Sequence, residues 1–246
     1  MNNPFSLSGK TILVTGASSG IGRGIAIACA GMGAQVILTA RNSARLQETL
    51  SALEGEGHCY IVADLTDTAQ RAKLVEQLPS LHGVVHCAGV GSRVPCKMLT
   101  QEDLDYVMKP NAEAPMLLQA ELLSEKKIAK QASVVFVASA AATMPSAGNA
   151  AYSASKAAII AYAKCLAQEL APRQIRVNSI SPAMVWTDLA LVGATAEQLT
   201  EAEKQYPLKR YGQPQDIAHL AVYMLSDASG WMTGSDVQIT GGTQVL

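Results

Sequence analysis

A chain of 246 residues, 49% of them hydrophobic, holds ample material for one large core, and α/β folds commonly run to this length around a single sheet. A formal net charge of −1, from 19 basic and 20 acidic side chains with no dense Lys/Arg run, argues against a nucleic-acid backbone or an anionic membrane as the main partner. A small-molecule partner fits better.

The opening MNNPFSLSGKTILVTG has no basic stretch followed by a long apolar run and a small-residue cleavage site, so a cytoplasmic location is expected. Short β-branched runs bounded by Gly, Ser or Asp predict seven strands, at 11–15, 35–39, 59–63, 83–87, 133–138, 175–180 and 236–240. Between them, helix-period segments lie at 20–32, 42–54, 67–78, 100–109, 111–126, 152–170 and 214–226. Continuous apolar strands alternating with helices predict an α/β, doubly wound Rossmann-like fold, a seven-stranded parallel sheet flanked by helices. No linker or repeat splits the chain, so residues 1–246 are expected to form one dinucleotide-binding catalytic domain. The long polar interval at 184–213 follows a strand and is expected to be a substrate lid. The apolar run at 157–163 is bracketed by Lys156 and Lys164, far short of a membrane span. Five scattered cysteines without a C-x-x-C pair suit free thiols, and no metal site is expected.

After the first strand comes Thr15-Gly16-Ala17-Ser18-Ser19-Gly20-Ile21-Gly22. Glycines there allow a tight turn and close backbone approach before a helix, whose N-terminus can take a pyrophosphate. An ordinary strand-to-helix turn is the plainer alternative. The second strand ends Thr39-Ala40-Arg41, where an acid would bond an NAD ribose and an Arg favours a 2′-phosphate. Arg41 therefore points to NADP(H), against the alternative of a solvated surface charge. Asp64-Leu65, ending the third strand, is expected to contact adenine or to cap the next helix.

Tyr152 and Lys156 are four apart in an Ala-rich helical segment and share a face. An ammonium beside a phenol stabilises the phenolate, which suits Tyr152 to proton exchange with a carbonyl oxygen. Ser139 ends the fifth strand, at the sheet edge where such folds bind ligands, and its hydroxyl can reach a substrate oxygen. Taken alone, a serine at such a position is more often a turn residue.

Together with A-D-L at 63–65, C-A-G at 87–89, Asn111, Y-S-A-S-K at 152–156, V-N-S-I-S-P at 177–182 and Thr187, these motifs resemble the short-chain dehydrogenase/reductase family along nearly the whole chain. The resemblance implies that Ser139 orients the carbonyl, Tyr152 transfers the proton, Lys156 binds the nicotinamide ribose and Asn111 supports a proton-relay water. It further implies cofactor contacts at Ala88, Gly89, Pro182 and Thr187. The C-terminal Y-G-Q-P-Q-D-I-A and T-G-S-D-V-Q-I-T-G-G are similar to the 3-oxoacyl-[acyl carrier protein] reductases, implying a homotetramer and a carrier partner near Lys130 and Arg173. Both charges are also plain surface charges.

The chain departs from that pattern at Cys87, where the family has Asn, which puts the bracing of the fourth strand in doubt. Ala183 replaces a usual Gly. Pro110 is expected to interrupt its helix and expose Asn111 on a bend. Reduction of a 3-oxoacyl thioester is the favoured function. A dehydrogenase of a sugar, steroid or other secondary alcohol is the alternative, with Met144, Met184, Trp186 and Leu189 as pocket wall, lid or core. A non-catalytic nucleotide-binding protein is the alternative of another class.

Overall fold

Each expected β-branched run forms one strand of one sheet in the computed structural model, which describes residues 3–191 and 195–243. The strands are β1 (Thr11–Thr15), β2 (Gln35–Ala40), β3 (Cys59–Val62), β4 (Leu81–His86), β5 (Ile128–Val137), β6 (Arg176–Pro182) and β7 (Asp236–Ile239). All pairings are parallel, in the order β3-β2-β1-β4-β5-β6-β7. The helices are α1 (Gly20–Gly31), α2 (Ser43–Ser51), α3 (Thr68–Gln77), α4 (Gln101–Met108), α5 (Ala114–Ser124), α6 (Ala150–Leu170), α7 (Ala196–Glu203) and α8 (Pro214–Leu225). The doubly wound architecture is the one expected.

Strand side chains alternate between two cores, which is why the strands are apolar throughout rather than alternating with polar residues. Ile12, Val14, Val36 and Leu38 pack with Ile25 of α1 and Ile217 of α8. Leu13, Ile37, Val134 and Phe136 pack on the other face with Leu118 of α5 and Ile159 of α6. At Gly24 of α1 a Cβ would lie 2.9 Å from the Pro214 Cβ, so the missing side chain lets α1 and α8 approach closely.

Three details differ from expectation. β5 starts at Ile128, ahead of the expected 133, because Ile128 pairs with Leu81 across a register irregularity before Ser133 pairs with Gly83. The 184–213 interval holds a helix, α7, begun by a Thr195/Gln198 capping box. Pro110 does not break its helix: α4 passes into α5 through one π-turn, Lys109–Glu113, in which the Ala114 amide bonds Lys109 O. The wider turn tolerates a residue without an N–H. Asn111 is consequently buried, at 1% exposure, and not displayed on a bend.

His86, at the end of β4, is buried, stacked on Phe136 at 4.5 Å between ring centroids, with Nε2 3.0 Å from Gln119 Oε1. Burial pushes its imidazole down from 6.5 to about 4, against the opposing Gln119 hydrogen bond. The unfolded chain therefore protonates first as pH falls, and the contribution is fully present above 6.5 and lost toward about 4. In urea titrations, the wild-type advantage over His86→Gln should shrink by up to ~1.4 kcal/mol per pH unit across that window. A difference independent of pH would contradict the neutral buried imidazole.

Candidate active site

The crossovers from β1 to β2 and from β4 to β5 run in opposite directions, leaving a crevice at the carboxyl ends of β1 and β4. Thr15 closes its floor: the buried Oγ1 accepts the Cys87 amide at 2.9 Å and the Ala88 amide at 3.1 Å. The turn after β4 is thus braced by a hydroxyl on β1, and the absence of an amide side chain at Cys87 does not undo it. Burial pushes the Cys87 thiol up to about 12 despite the nearby Lys156 charge, so it stays protonated.

The glycine-rich turn has the shape its composition predicts. Gly16 has φ +65°, and a Cβ there would sit 2.8 Å from the Ala88 Cα. A Cβ on Gly22 would collide with the Gly16 carbonyl. Ser19 caps α1 with extended backbone but makes no side-chain cap bond, and no acid lies in the first turn. The first amides of α1 are therefore left for an anion.

A cavity of about 460 Å³ runs from this turn along the sheet edge. Gly16, Ser18, Ser19, Gly20, Ile21, Gly22, Arg41, Asp64, Leu65, Ala88, Gly89, Tyr152, Lys156 and Thr187 all line it. Asp64 does not cap α3; its Oδ1 accepts the Thr66 amide and hydroxyl at 2.9 and 2.7 Å, while Asp67 caps the helix. Partial burial raises the Asp64 carboxyl, but the Thr66 bonds and the Arg41 charge outweigh it and hold the group below the usual range.

A second cavity, of about 320 Å³, adjoins the first. Ser139 and Pro182 line this one rather than the first, with Ala183, Met144 and Met184; Tyr152 and Leu189 line both. Trp186 lines neither, because its indole Nε1 donates to Glu203 Oε2 at 2.8 Å and its ring packs on Tyr211. The segment carrying it is closed at its base by the Val185–Gly212 bridge and by the Arg210–Asp216 ion pair.

One turn after Tyr152, Lys156 is buried at 6% exposure; its Nζ donates to Val137 O at 2.9 Å and stands 5.9 Å from the Tyr152 ring centroid. The end of β5 thereby fixes an ammonium beside the phenol. Ser139 caps the 3-10 turn Ala140–Ala142, its Oγ accepting the Ala141 amide at 3.1 Å. That bond leaves the hydroxyl proton free for another acceptor.

Asn111 lines neither cavity. Its Oδ1 accepts the Val90 amide at 2.8 Å, and its Nδ2 donates to Val90 O at 2.9 Å and to Ser155 Oγ at 3.2 Å. The side chain is a clamp on the loop after β4. Arg45, Asn42 and Asp188 also line the first cavity and were missed from the sequence. Arg45 Nη1 meets Asp188 Oδ2 at 3.0 Å, joining α2 to the segment after β6. Lys130 and Arg173 lie at the amino-terminal end of β5, opposite the cavities, where Arg173 donates to Ile128 O.

A parallel α/β sheet with a phosphate-ready helix end and a Ser/Tyr/Lys group at its crevice defines a class of dinucleotide-dependent oxidoreductases. A family model described as enoyl-(acyl carrier protein) reductase matches residues 16–244. L-xylulose reductase of Caenorhabditis elegans is 32% identical, with 97% of each chain covered. A 3-oxoacyl-[acyl-carrier-protein] reductase of Rickettsia conorii is 30% identical over 97% of this chain and 98% of its own. A solved structure from Beutenbergia cavernae, described as an NAD(P)-dependent gluconate 5-dehydrogenase with NADP bound at low occupancy, superposes with a TM-score of 0.88 at 32% identity, covering 98% of both chains. The chain belongs to the short-chain dehydrogenase/reductase family of oxidoreductases. Among the described residues no helix is long and apolar enough to cross a membrane.

The clamp has a measurable cost. Asn111→Ala removes three hydrogen bonds and leaves the part-buried Val90 backbone groups without their partner. We expect urea unfolding to report a loss of about 3 kcal/mol, and unchanged stability would contradict the clamp.

Proposed function

We propose that this protein is an NADP(H)-dependent oxidoreductase acting on a carbonyl or secondary alcohol, with a 3-oxoacyl thioester as the substrate class to test first. The observation that carries the reading is the position of Tyr152, which lines both cavities with the Lys156 ammonium one turn on. The first cavity suits the dinucleotide: the open N-terminus of α1 for the pyrophosphate, Asp64 and Leu65 beside adenine, Arg41 for a 2′-phosphate, and Thr187 with Lys156 at the nicotinamide end. The nicotinamide, when bound, supplies or accepts the hydride.

In the reducing direction, the Ser139 hydroxyl donates to the carbonyl oxygen and holds it at Tyr152. The Tyr152 phenol gives its proton to that oxygen as negative charge develops there. The Lys156 ammonium, held by Val137 O, stabilises the phenolate that remains. Asn111 keeps the loop after β4 against the site, a supporting role with respect to the relay implied for it. Pro182, together with Ala183, walls the substrate side where the two cavities adjoin.

Support for an acyl thioester comes from the Rickettsia relative and from the description of the matching family model. A carrier docked at Lys130 and Arg173 would face away from this chain's own cavities, so a carrier partner goes with assembly into a homotetramer. Exposed Tyr106 on α4 and exposed Ala154, Ala157 and Ala161 on the neighbouring α6 offer a face for it. The residues at 184–213 act as the lid in this reading; 192–194 lie outside the described residues. The polar groups Ser92, Ser146 and Asn149 in the second cavity favour a second reading, a sugar or polyol dehydrogenase, as in the nematode and Beutenbergia relatives.

Following NADPH and NADH consumption with a short 3-oxoacyl thioester and with non-thioester ketones tests the proposal. Tyr152→Phe should lower kcat about a thousandfold, and retained turnover would overturn Tyr152 as the acid. Arg41→Ala should raise KM for NADPH about tenfold with little effect on NADH. A wild-type preference for NADH would remove the role of Arg41.

A further inference from the structure

The second cavity is lined by small, apolar and hydroxyl-bearing residues, and among its described lining residues only Arg93 carries a full charge. Carboxylates engage other arginines of the chain: Asp188 holds Arg45, Glu121 holds Arg71 and Asp216 holds Arg210. No such ion pair among the described residues involves Arg93. Asp188, next to the cavity wall at Leu189, is already engaged, and no carboxylate lines the second cavity itself.

The backbone that carries Arg93 is anchored at both ends. Its loop is fixed on one side at Val90, whose amide and carbonyl are both bound by Asn111 at 2.8 and 2.9 Å. On the other side, the Val94 amide donates to Gly148 O at 2.8 Å, joining the loop to the opposite rim. On that rim Asn149 Nδ2 donates to Ser146 Oγ at 2.8 Å, and both residues line the cavity. The residues from Gly91 to Arg93 therefore span two anchored points, and the exposed Arg93 lines a cavity that offers nothing negative in return. A neutral ligand can accept only an ordinary hydrogen bond from that group, whereas a carboxylate or phosphate gains a stronger charge-assisted, bidentate one.

We propose that Arg93 is the substrate-specificity residue: the substrate carries an anionic group, bound by Arg93, while its carbonyl or hydroxyl lies at Ser139 and Tyr152. This rests on the proposed role of Tyr152. The anionic group takes no part in the redox step, in which hydride leaves the reduced nicotinamide, the proton leaves Tyr152 and the carbonyl becomes an alcohol. Two sources share the chemistry, the free carboxylate of a small oxo acid and the phosphate of a phosphopantetheine thioester.

Matched pairs separate them: 3-oxobutyrate against 3-oxobutyramide, and 3-oxobutyryl phosphopantetheine against 3-oxobutyryl pantetheine, each with wild type, Arg93→Gln and Arg93→Lys. In one pair the wild type should favour the anionic member at least tenfold in kcat/KM. Arg93→Gln should abolish that preference, with the loss falling in KM for the anionic member, and Arg93→Lys should restore part of it. The pair that responds names the source. Calorimetric titration of 3-hydroxybutyrate and 3-hydroxybutyramide, and of the two matching 3-hydroxybutyryl pantetheine thioesters, onto the NADP⁺-saturated protein reads the same contact without turnover. Arg93-dependent binding of an anionic member without catalysis would keep the assignment of Arg93 and reject the reductase reading. Equal handling of both members of both pairs, or a preference that survives Arg93→Gln, would overturn the proposal whether or not the carbonyls are reduced.

Discussion

The site depends on a topological constraint: in a parallel sheet ordered β3-β2-β1-β4-β5-β6-β7, the crossovers leave β1 and β4 in opposite directions and cannot cover the ends of both strands. The gap is stabilised by one hydroxyl, Thr15 Oγ1, which binds two backbone amides of the turn after β4. With that floor fixed, Gly16 can pass within contact distance of Ala88, α1 can aim its open amides along the crevice, and β5 can place Val137 O under Lys156. Buried donors without acceptors are costly, so these contacts hold one arrangement rather than several.

Chemistry follows from the separation of the crevice into two cavities with Tyr152 between them. The first is walled by backbone, small residues and Arg41, as a long polar ligand requires. The second is walled by loops from the carboxyl ends of β4, β5 and β6, elements on which substrate preference can vary without disturbing the sheet. Asn111 links the two levels. Placed by a π-turn at a proline, it clamps Val90, and Val90 in turn begins the short span that presents Arg93. If Arg93 holds the substrate as proposed, a mutation remote from the reacting groups alters substrate preference through this loop.

Much of the sheet and the glycine-rich turn was legible in the sequence as local pattern, in apolar runs and glycines at a strand end. The i,i+4 spacing puts Tyr152 and Lys156 on one face, while Ser139 is singled out by its place at a strand end and by the family resemblance. What was not legible depends on residues distant in the chain. Arg45 and Asp188 meet only after folding, and nothing local at either position signals the other. Pro110 reads as a helix breaker by its missing N–H, yet α4 and the π-turn that follows it pack against α6, and the turn carries Asn111 inward. Trp186 reads as pocket wall, lid or core by its hydrophobicity, and its contacts with Glu203 and Tyr211, distant in the chain, select packing within the 184–213 segment. The early start of β5 arises from pairing with Leu81 across an irregular register, which strand propensity does not encode.

The central claim is that one dinucleotide lies along the first cavity with its reactive ring at Tyr152. A crystal structure of the protein with NADP⁺ tests it most directly. The account predicts the pyrophosphate on the N-terminus of α1, the 2′-phosphate on Arg41 and the nicotinamide between Thr187 and the Tyr152–Lys156 pair. A dinucleotide bound with its nicotinamide away from Tyr152, or with its phosphates away from α1, would contradict it.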